Sequence, residues 1–347
     1  MEEKKAPAKA GVKLTKETVM NFLLNNAMYI IILIAVIYIA VKVPSFLGLA
    51  SIVNIISLTA AKLPIALGIG GCIVLTGTDI SAGRVVGLTA CISASLLTTT
   101  FSVFPNLTSA PPIILVLLLA VLAGAVVGLV NGLSVAYFKL HPFIVTLSTQ
   151  LITYGCILIY LKQGTNNGQT LSGLTTGYRQ LVTGTLFTIG GVAVPRYVLY
   201  AIILTAIMWV IWNKTTFGKN MFAVGSNEEA ANVSGVNVGR TITMVFVLAG
   251  IMYAFEGFIE GARIASASAN TGLNYECDAI AACVIGGVSF VGGIGKISGI
   301  VIGVLLLQII FAGLNFLSVD ANMLYIIKGL IILVACAIDM RKYLVRK

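Results

Sequence analysis

Residues 112–137 read PIILVLLLAVLAGAVVGLVNGLSVAY, and this stretch decides the fold class. It holds no charged residue and is longer than the roughly 20 apolar residues that a helix needs to cross a bilayer. Gly124, Gly128 and Gly132 recur every fourth residue, so they share one face of that helix. Such a face lets two helix backbones approach closely. We therefore predict a spanning helix whose glycine face, with Asn131, is buried against protein, either within the chain or at a subunit interface.

The rest of the chain has the same character. Of its residues 58% are hydrophobic and only 10% are charged, with a mean hydropathy of +1.02, whereas a soluble domain carries about 25% charged residues. The predicted fold class is therefore an all-α polytopic membrane protein with about ten transmembrane helices. The predicted spans are approximately 27–43, 51–77, 84–103, 112–137, 143–162, 197–212, 241–262, 276–292, 294–317 and 322–339.

Two of these spans contain interruptions. The 51–77 run includes Lys62 and Pro64, which indicate a broken helix or two half-helices. The 276–292 run is rich in glycine and is predicted either to cross or to enter the membrane and return. A faint similarity between VLTGTDISAGRVVG at 74–87 and VIGGVSFVGGIGK at 284–296 suggests a duplicated half.

The positions of the basic residues predict the orientation. With both termini in the cytoplasm, fifteen Lys and Arg lie inside and five lie outside, the bias expected of a membrane protein. The net charge of +10 is thus explained by helix flanks and tails, which argues against nucleic-acid binding. The predicted domains are a cytoplasmic tail over 1–26, one transmembrane domain over 27–339 and a second cytoplasmic tail over 340–347.

Enzyme motifs are missing from the sequence. No G-x-x-x-x-G-K-[ST] phosphate loop is present, so this chain is not expected to bind ATP by that route. The single histidine, His141, precedes a proline at a helix boundary, and the six cysteines form no CxxC or Cys/His cluster. We therefore predict neither a catalytic centre, nor a metal site, nor a disulfide framework.

A few carboxylates fall in or beside apolar segments. Glu256 and Glu260 lie one turn apart in a predicted span; we expect Glu260 to pair with Arg263 and the deeper Glu256 to line a cavity. A proton relay through these two glutamates is the alternative. Asp79 and Asp320 each precede a helix, where a short acidic side chain acts as a cap.

Two polar segments interrupt the apolar pattern on opposite sides. Residues 163–195 are predicted to form an extracytoplasmic loop, and residues 213–240 a cytoplasmic loop. Within the latter, the stretch FAVGSNEEAANVSGVNVGR at 222–240 predicts a short helix that Asn227 caps and Gly235 terminates. A helix of two turns is marginal alone in water, so we expect it to need a partner groove.

Four segments together resemble one family. They are TGTDISAG at 76–83, NGLSVAYFKLHPFIVTLST at 131–149, WNKTTFGKNMFAVGSNEEAANVSGVNV at 212–238 and YECDAIAACVIGGVSFVGGIGKISG at 275–299. The chain resembles the permease subunits of bacterial ABC sugar importers of the ribose/xylose/galactoside class, and within it the galactose/methyl-galactoside branch.

The resemblance implies a set of partners and sites. It implies a multi-pass protein of the bacterial cytoplasmic membrane, a second permease copy, a cytoplasmic ATPase with two fused nucleotide-binding domains that uses ATP and magnesium, and an extracytoplasmic sugar-binding protein. The implied ATPase-coupling residues are Gly225, Asn227, Glu228, Glu229, Ala230, Ala231, Ser234 and Gly235. The resemblance also points to six translocation-path and helix-break residues, Asp79, Ser81, Gly83, Asp278, Gly286 and Gly287. Asn131 and Glu256 are added to this set from their positions in predicted spans, and not from the resemblance. A proton-coupled secondary sugar transporter remains the alternative function.

Overall fold

The computed structural model describes residues 27–344, almost all of them in helices or short connections. The predicted tail 1–26 and the last part of the predicted tail 340–347 lie outside the described residues. The helices are α1 (Ala27–Lys42), α2 (Leu49–Val74), α3 (Ala82–Leu96), α4 (Ile113–Tyr137), α5 (Pro142–Leu161), α6 (Thr176–Thr183), α7 (Tyr197–Lys214), α8 (Thr216–Ser226), α9 (Glu228–Val233), α10 (Val238–Ile264), α11 (Tyr275–Ile285), α12 (Ile297–Phe316) and α13 (Ala321–Leu344). A 3₁₀ turn occupies Pro44–Leu47, and strands β1 (Thr185–Ile189) and β2 (Val192–Pro195) form a hairpin.

Six helices of the described part are long and apolar enough to cross a membrane: α2, α4, α5, α7, α10 and α12. A polytopic helical membrane protein is therefore confirmed. Shorter apolar stretches lie in α3 and in residues 322–334. The predicted total of ten crossings and the cytoplasmic placement of both termini stay predictions.

The two interrupted spans have different outcomes. The predicted break near Lys62 and Pro64 is not present, since α2 is one continuous helix of 26 residues with Pro64 in its interior. Helix α11, in contrast, has only 11 residues, about 16 Å of helix, whereas the hydrocarbon core is about 30 Å thick. Residues 286–296 continue as a connection to α12, so the 276–292 segment does not cross as a helix.

Helices α2 and α10 form the centre of the bundle. Most of each is buried, and α10 packs against α2, α3 and α4. The glycine face of α4 lies in close backbone contact with α10, because a Cβ added at Gly124 would overlap the Gly250 carbonyl oxygen, and one at Gly128 the Phe246 carbonyl oxygen. The predicted burial of this face is confirmed, and its partner is α10 of the same chain.

The 163–195 segment contains more structure than predicted. It carries α6 and the antiparallel β1–β2 hairpin. Gly190 and Gly191 connect the strands with φ of +53° and +84°, the left-handed conformation that a two-residue hairpin turn requires. The sequence analysis missed this hairpin, although TLFTIGGVAVP carries its signature: β-branched residues on both sides of a Gly-Gly pair.

The two glycine-rich segments that suggested a duplication lie against each other. The Gly293 amide donates a hydrogen bond to the Val74 carbonyl oxygen at 2.9 Å, where α2 ends. On the other side, Gly286 and Gly299 pack backbone to backbone, and Gly287 has a φ of +82°. This contact brings the ends of α2 and α11 to one side of the bundle, beside α8.

Candidate functional site

Helix α9 is defined by its caps. The Asn227 side-chain oxygen accepts a hydrogen bond from the Ala230 amide at 2.8 Å, and Gly235 has a φ of +85°. The Val236 amide closes the last turn on the Ala231 carbonyl at 3.0 Å. Both predicted signals, the Asn cap and the left-handed glycine, are therefore confirmed. Glu228 and Glu229 lie in the first turn, where their negative charges interact favourably with the positive end of the helix dipole.

One face of α9 packs against the rest of the protein and the other face is exposed. Ala231 is buried against the body of the protein, whereas Val233 is 89% exposed. Glu229, Ala230 and Ser234 are exposed as well. Val233 was missing from the sequence-derived set of coupling residues, because in sequence it is one apolar residue among many. An exposed apolar side chain on a small capped helix suits contact with another protein.

Gly225 differs from the other predicted coupling residues. It is buried in α8, before the cap of α9, and not on the short helix. A Cβ added there would overlap the Val74 carbonyl oxygen and crowd the Gly293 amide. Gly225 therefore serves the close contact between α8, the end of α2 and the 286–296 connection, which the sequence analysis did not foresee.

A groove of about 640 Å³ lies beside α9. Its lining includes Tyr137 and Lys139 after α4, Asn232 of α9 and Asn237 at the start of α10. The Lys139 ammonium lies 2.6 Å from the Glu228 carboxylate across it, and both side chains are at least half exposed. The α4 end thus belongs to the same surface as α9, which no local sequence signal indicated.

The break between α2 and α3 holds a buried polar cluster. The Asp79 carboxylate accepts hydrogen bonds from the Ser81 amide at 2.9 Å and from the Ser81 hydroxyl at 2.6 Å. The Asn131 amide nitrogen donates to the same hydroxyl at 3.0 Å. Asp79 lies three residues before α3 and holds the turn there. It does not occupy the predicted N-cap position, which is Ser81, and Ser81 makes no side-chain cap hydrogen bond. Asp320 caps α13 as predicted, accepting from the Asn322 amide at 2.8 Å.

Two other predicted break residues are packing positions. A Cβ at Gly83 would overlap the Glu276 carboxylate and the Gly272 carbonyl oxygen, so this glycine lets α3 approach the segment before α11. Gly286 ends α11.

A second polar cluster joins the middle of α2 to the C-terminal part of α10. The Lys62 ammonium lies 3.5 Å from Glu256 Oε1 and 3.4 Å from Glu260 Oε1, and both glutamates are fully buried. Arg263 holds Glu260 in a bidentate pair at 2.7 and 2.8 Å, so the predicted Glu260–Arg263 pair is confirmed. The Tyr275 hydroxyl also donates to Glu260. Sequence reasoning gave Lys62 no partner, because its partners lie almost 200 residues away.

The predicted path residues thus fall into separate groups. Asp79, Ser81 and Asn131 form one cluster near the end of α2. Glu256 belongs to the Lys62 cluster, and it contacts Lys62 without lining the cavity that Lys62 borders. Asp278 lines that cavity and pairs with Lys328 at 2.8 Å. Within residues 27–344, no His, Cys, Asp and Glu side chains cluster closely enough to hold a metal ion.

The chain is similar in sequence to known sugar import permeases. It is 43% identical over 337 residues to the galactose/methyl galactoside import permease protein MglC of Escherichia coli (strain K12), with 96% of this chain and 99% of that protein covered. It is 44% identical to MglC of Haemophilus influenzae over 96% of this chain and 99% of that protein. The ribose import permease protein RbsC of Bacillus subtilis (strain 168) is 35% identical over 89% of this chain and 90% of its own length.

No solved structure matches the chain. A family model described as "Branched-chain amino acid transport system / permease component" matches residues 46–336. That range holds α9 and both buried polar clusters, and it includes all six long apolar helices. The chain is therefore a member of the branched-chain amino acid transport system / permease component family.

Proposed function

We propose that this chain is the transmembrane permease subunit of an ATP-binding-cassette importer for galactose or a methyl galactoside. The single observation that carries this proposal is the 43–44% identity, over 96% of the chain, to permeases named for that import. A permease component makes and breaks no bond in its cargo, so the chain is not an enzyme.

The relatives favour a sugar over a branched-chain amino acid. The family description names amino acid transport for the whole family. The relatives that cover nearly the full chain are sugar permeases, with galactose and methyl galactoside permeases at 41–44% identity and ribose permeases at 32–35%. Identity is higher to the galactoside group, which favours a galactoside as the cargo.

Energy comes from a separate subunit in this proposal. The sequence lacks a phosphate loop, and α9 offers a small capped helix with an exposed Val233 for a partner to bind. That partner is a cytoplasmic ATPase with two fused nucleotide-binding domains, which uses ATP and magnesium. An extracytoplasmic binding protein delivers the sugar, and a second copy of this chain completes the path.

The contact around Gly225 supports a route from the ATPase to the membrane helices. Closure of the ATPase moves α9 together with α8, which meets the end of α2 and the 286–296 connection through Gly225. The same side of the bundle holds the Asp79 cluster. Movement there changes access to the path, to which we assign Asp79, Ser81, Gly83, Asn131, Glu256, Asp278, Gly286 and Gly287.

The proposed setting is the bacterial cytoplasmic membrane with both termini inside. The six long apolar helices make the chain an integral membrane protein. The bias of Lys and Arg supports the orientation that puts α9 on the cytoplasmic side, where ATP is available.

Proton-coupled secondary transport is supported less well. A relay needs a carboxylate that can change its partners, whereas Glu260 is held by Arg263, Lys62 and Tyr275 together. Uptake that collapses with a protonophore while ATP is maintained would favour this alternative.

Reconstitution tests the proposal. Proteoliposomes that contain the chain and its ATPase are supplied with a galactose-loaded binding protein. They are expected to accumulate galactose only when ATP is present on the cytoplasmic face of the complex. Val233→Asp is expected to release the ATPase during purification, because it places a charge at the centre of the contact. Leu186→Asp, which puts the same charge on the β1–β2 hairpin, serves as the control and is expected to keep the ATPase bound. Accumulation without ATP contradicts the proposal.

A further inference from the structure

A small cavity lies between α2, α11 and α12, deep in the bundle. Its polar lining consists of Lys62 of α2, Tyr275 and Asp278 of α11, and Gln308 of α12, set in an otherwise apolar wall. Its volume is about 10 Å³, the space of about one water molecule. The cavity is thus closed to any larger solute in this conformation, yet its lining mixes an apolar wall with a few convergent polar groups, as ligand sites do.

The polar groups around the cavity are balanced in charge. Lys62, Arg263 and Lys328 face three carboxylates, and each carboxylate lies within 3.5 Å of one of these cations. The carboxylates are Glu256, Glu260 and Asp278. Ionisable groups inside a membrane protein are costly and are retained chiefly along solute or ion pathways. Equal numbers of cationic and anionic groups, with no net charge, suit a neutral, hydroxyl-rich solute better than an anion or a cation.

The side chains lining the cavity offer the chemistry that a hydroxyl needs. A carboxylate accepts hydrogen bonds, an ammonium donates them, and a Gln amide does both. Gln308 is 7% exposed, and it lies on an apolar helix whose neighbouring residues, Leu307 and Ile309, carry no polar atom in their side chains. Lys62 is fixed over the Tyr275 ring, 3.0 Å from its centroid, so its ammonium is held at the edge of the cavity.

One ion pair connects Asp278, which lines this cavity, to α13. The Lys328 ammonium lies 2.8 Å from Asp278 Oδ2 and 4.5 Å from the Phe311 ring centroid. Lys328 and Asp278 remain partly exposed, at 27% and 14%, unlike the fully buried glutamates behind Lys62. This pair joins α13 to α11, and separating it would free the Asp278 carboxylate on the wall of the cavity.

From this arrangement we infer that the cavity is the closed state of a hydroxyl-binding constriction in the translocation path. Asp278, Gln308 and Lys62 contact the sugar as it passes, and Lys328 is the latch that the sugar hydroxyls displace from Asp278. The inference rests on the proposed function, since it takes the cargo to be a neutral sugar.

The test measures sugar moved per ATP hydrolysed in the reconstituted complex. Gln308→Ala and Asp278→Asn are each expected to lower galactose uptake by about tenfold, the effect of one lost hydrogen bond to the cargo. The ATPase activity stimulated by the binding protein is expected to stay within about twofold, so the ratio of sugar to ATP falls. Asn315→Ala removes an exposed amide from the same helix and is the matched control, with an unchanged ratio.

A second variant keeps the test decisive if Asp278→Asn folds poorly. Lys328→Gln removes the latch and is expected to allow galactose to leak from loaded proteoliposomes without ATP. The inference of a constriction is overturned if Gln308→Ala leaves the ratio of sugar to ATP unchanged, or if uptake and ATPase activity fall in parallel. It is also overturned if proteoliposomes with Lys328→Gln do not leak galactose. A native complex that moves no sugar at all contradicts the proposed function itself, so the two failures are distinguishable.

Discussion

The α9 surface and the Lys62 cluster lie towards opposite ends of α10, and they are held together in opposite ways. Helix α9 rests on hydrogen bonds between residues at most five positions apart, and most of its surface is exposed. The Lys62 cluster joins α2, α10 and α11 through ion pairs whose glutamates are fully buried. A change at α9 should therefore affect binding of a partner protein with little loss of stability, whereas the loss of a charge from the buried cluster should first of all lower the stability of the bundle.

The largest effect is expected at the cluster. Lys62→Met leaves Glu256 as a buried carboxylate without its cation, which costs about 3–5 kcal/mol of unfolding free energy. Unfolding of the purified protein in mixed micelles measures this loss. Lys42→Met changes an exposed lysine at the end of α1 and is the control, expected to shift stability by less than about 0.5 kcal/mol.

A double variant makes this test sharper. Adding Glu256→Gln to Lys62→Met removes the uncompensated charge and should recover part of the lost stability. If Lys62→Met unfolds at the same denaturant concentration as the native protein, the contrast between the two regions is wrong.

Gly225 should behave like the cluster although it lies only three residues before α9. Gly225→Ala places a methyl group onto the Val74 carbonyl, and such overpacking costs about 1–3 kcal/mol. Gly235→Ala meets no atom within 4 Å and costs only the left-handed backbone strain, about 1–2 kcal/mol, confined to α9. The melting temperature of the whole protein should fall for the first variant and remain nearly constant for the second. The reverse order would show that α8 and α9 form one unit.

The cap of α9 should have a smaller, local effect. Asn227→Ala removes the hydrogen bond to the Ala230 amide and destabilises this helix by about 1 kcal/mol. Faster hydrogen exchange over residues 228–234 and weaker retention of the ATPase are expected, without a change in the melting temperature. Asn227→Asp keeps a capping oxygen and should preserve both properties. Slow exchange in Asn227→Ala would show that packing of Ala231 alone holds the helix.

The exposed ion pair should matter least for the fold. Glu228→Gln removes the charge partner of Lys139, an exposed pair worth less than about 1 kcal/mol. We expect unchanged unfolding and a smaller loss of ATPase binding than in Asn227→Ala. A larger loss would mean that the carboxylate itself, and not the helix that carries it, makes the contact.

The part of the molecule that could be predicted is the part encoded locally. Apolar runs placed most of the long helices to within a few residues, although the predicted spans 84–103 and 276–292 end seven residues beyond α3 and α11. Neighbouring residues predicted the Asn227 cap, the Gly235 terminus and the Glu260–Arg263 pair. Contacts between distant segments could not be predicted, because a single sequence does not say which polar groups in different helices face each other. Lys62 and Glu256 are 194 positions apart, and Asp278 and Lys328 are 50 positions apart. The same limit applies to Gly225, because its neighbours Val74 and Gly293 lie in distant parts of the sequence.

The length of α10 has a mechanical consequence. This single helix runs for 27 residues, about 40 Å, from the cap at Asn237 beside α9 to Glu260 and Arg263 at its other end. Its glycine contact with α4 ties it to a second long helix and resists bending. A rigid rod of this length that tilts by about 5° at one end displaces the other by about 3.5 Å. At Glu260, about 34 Å along this rod from Asn237, the same tilt gives a displacement of about 3 Å. That is close to the 3.4 Å between Lys62 and Glu260, so a small rotation near α9 is enough to rearrange the ion pairs towards the other end of α10.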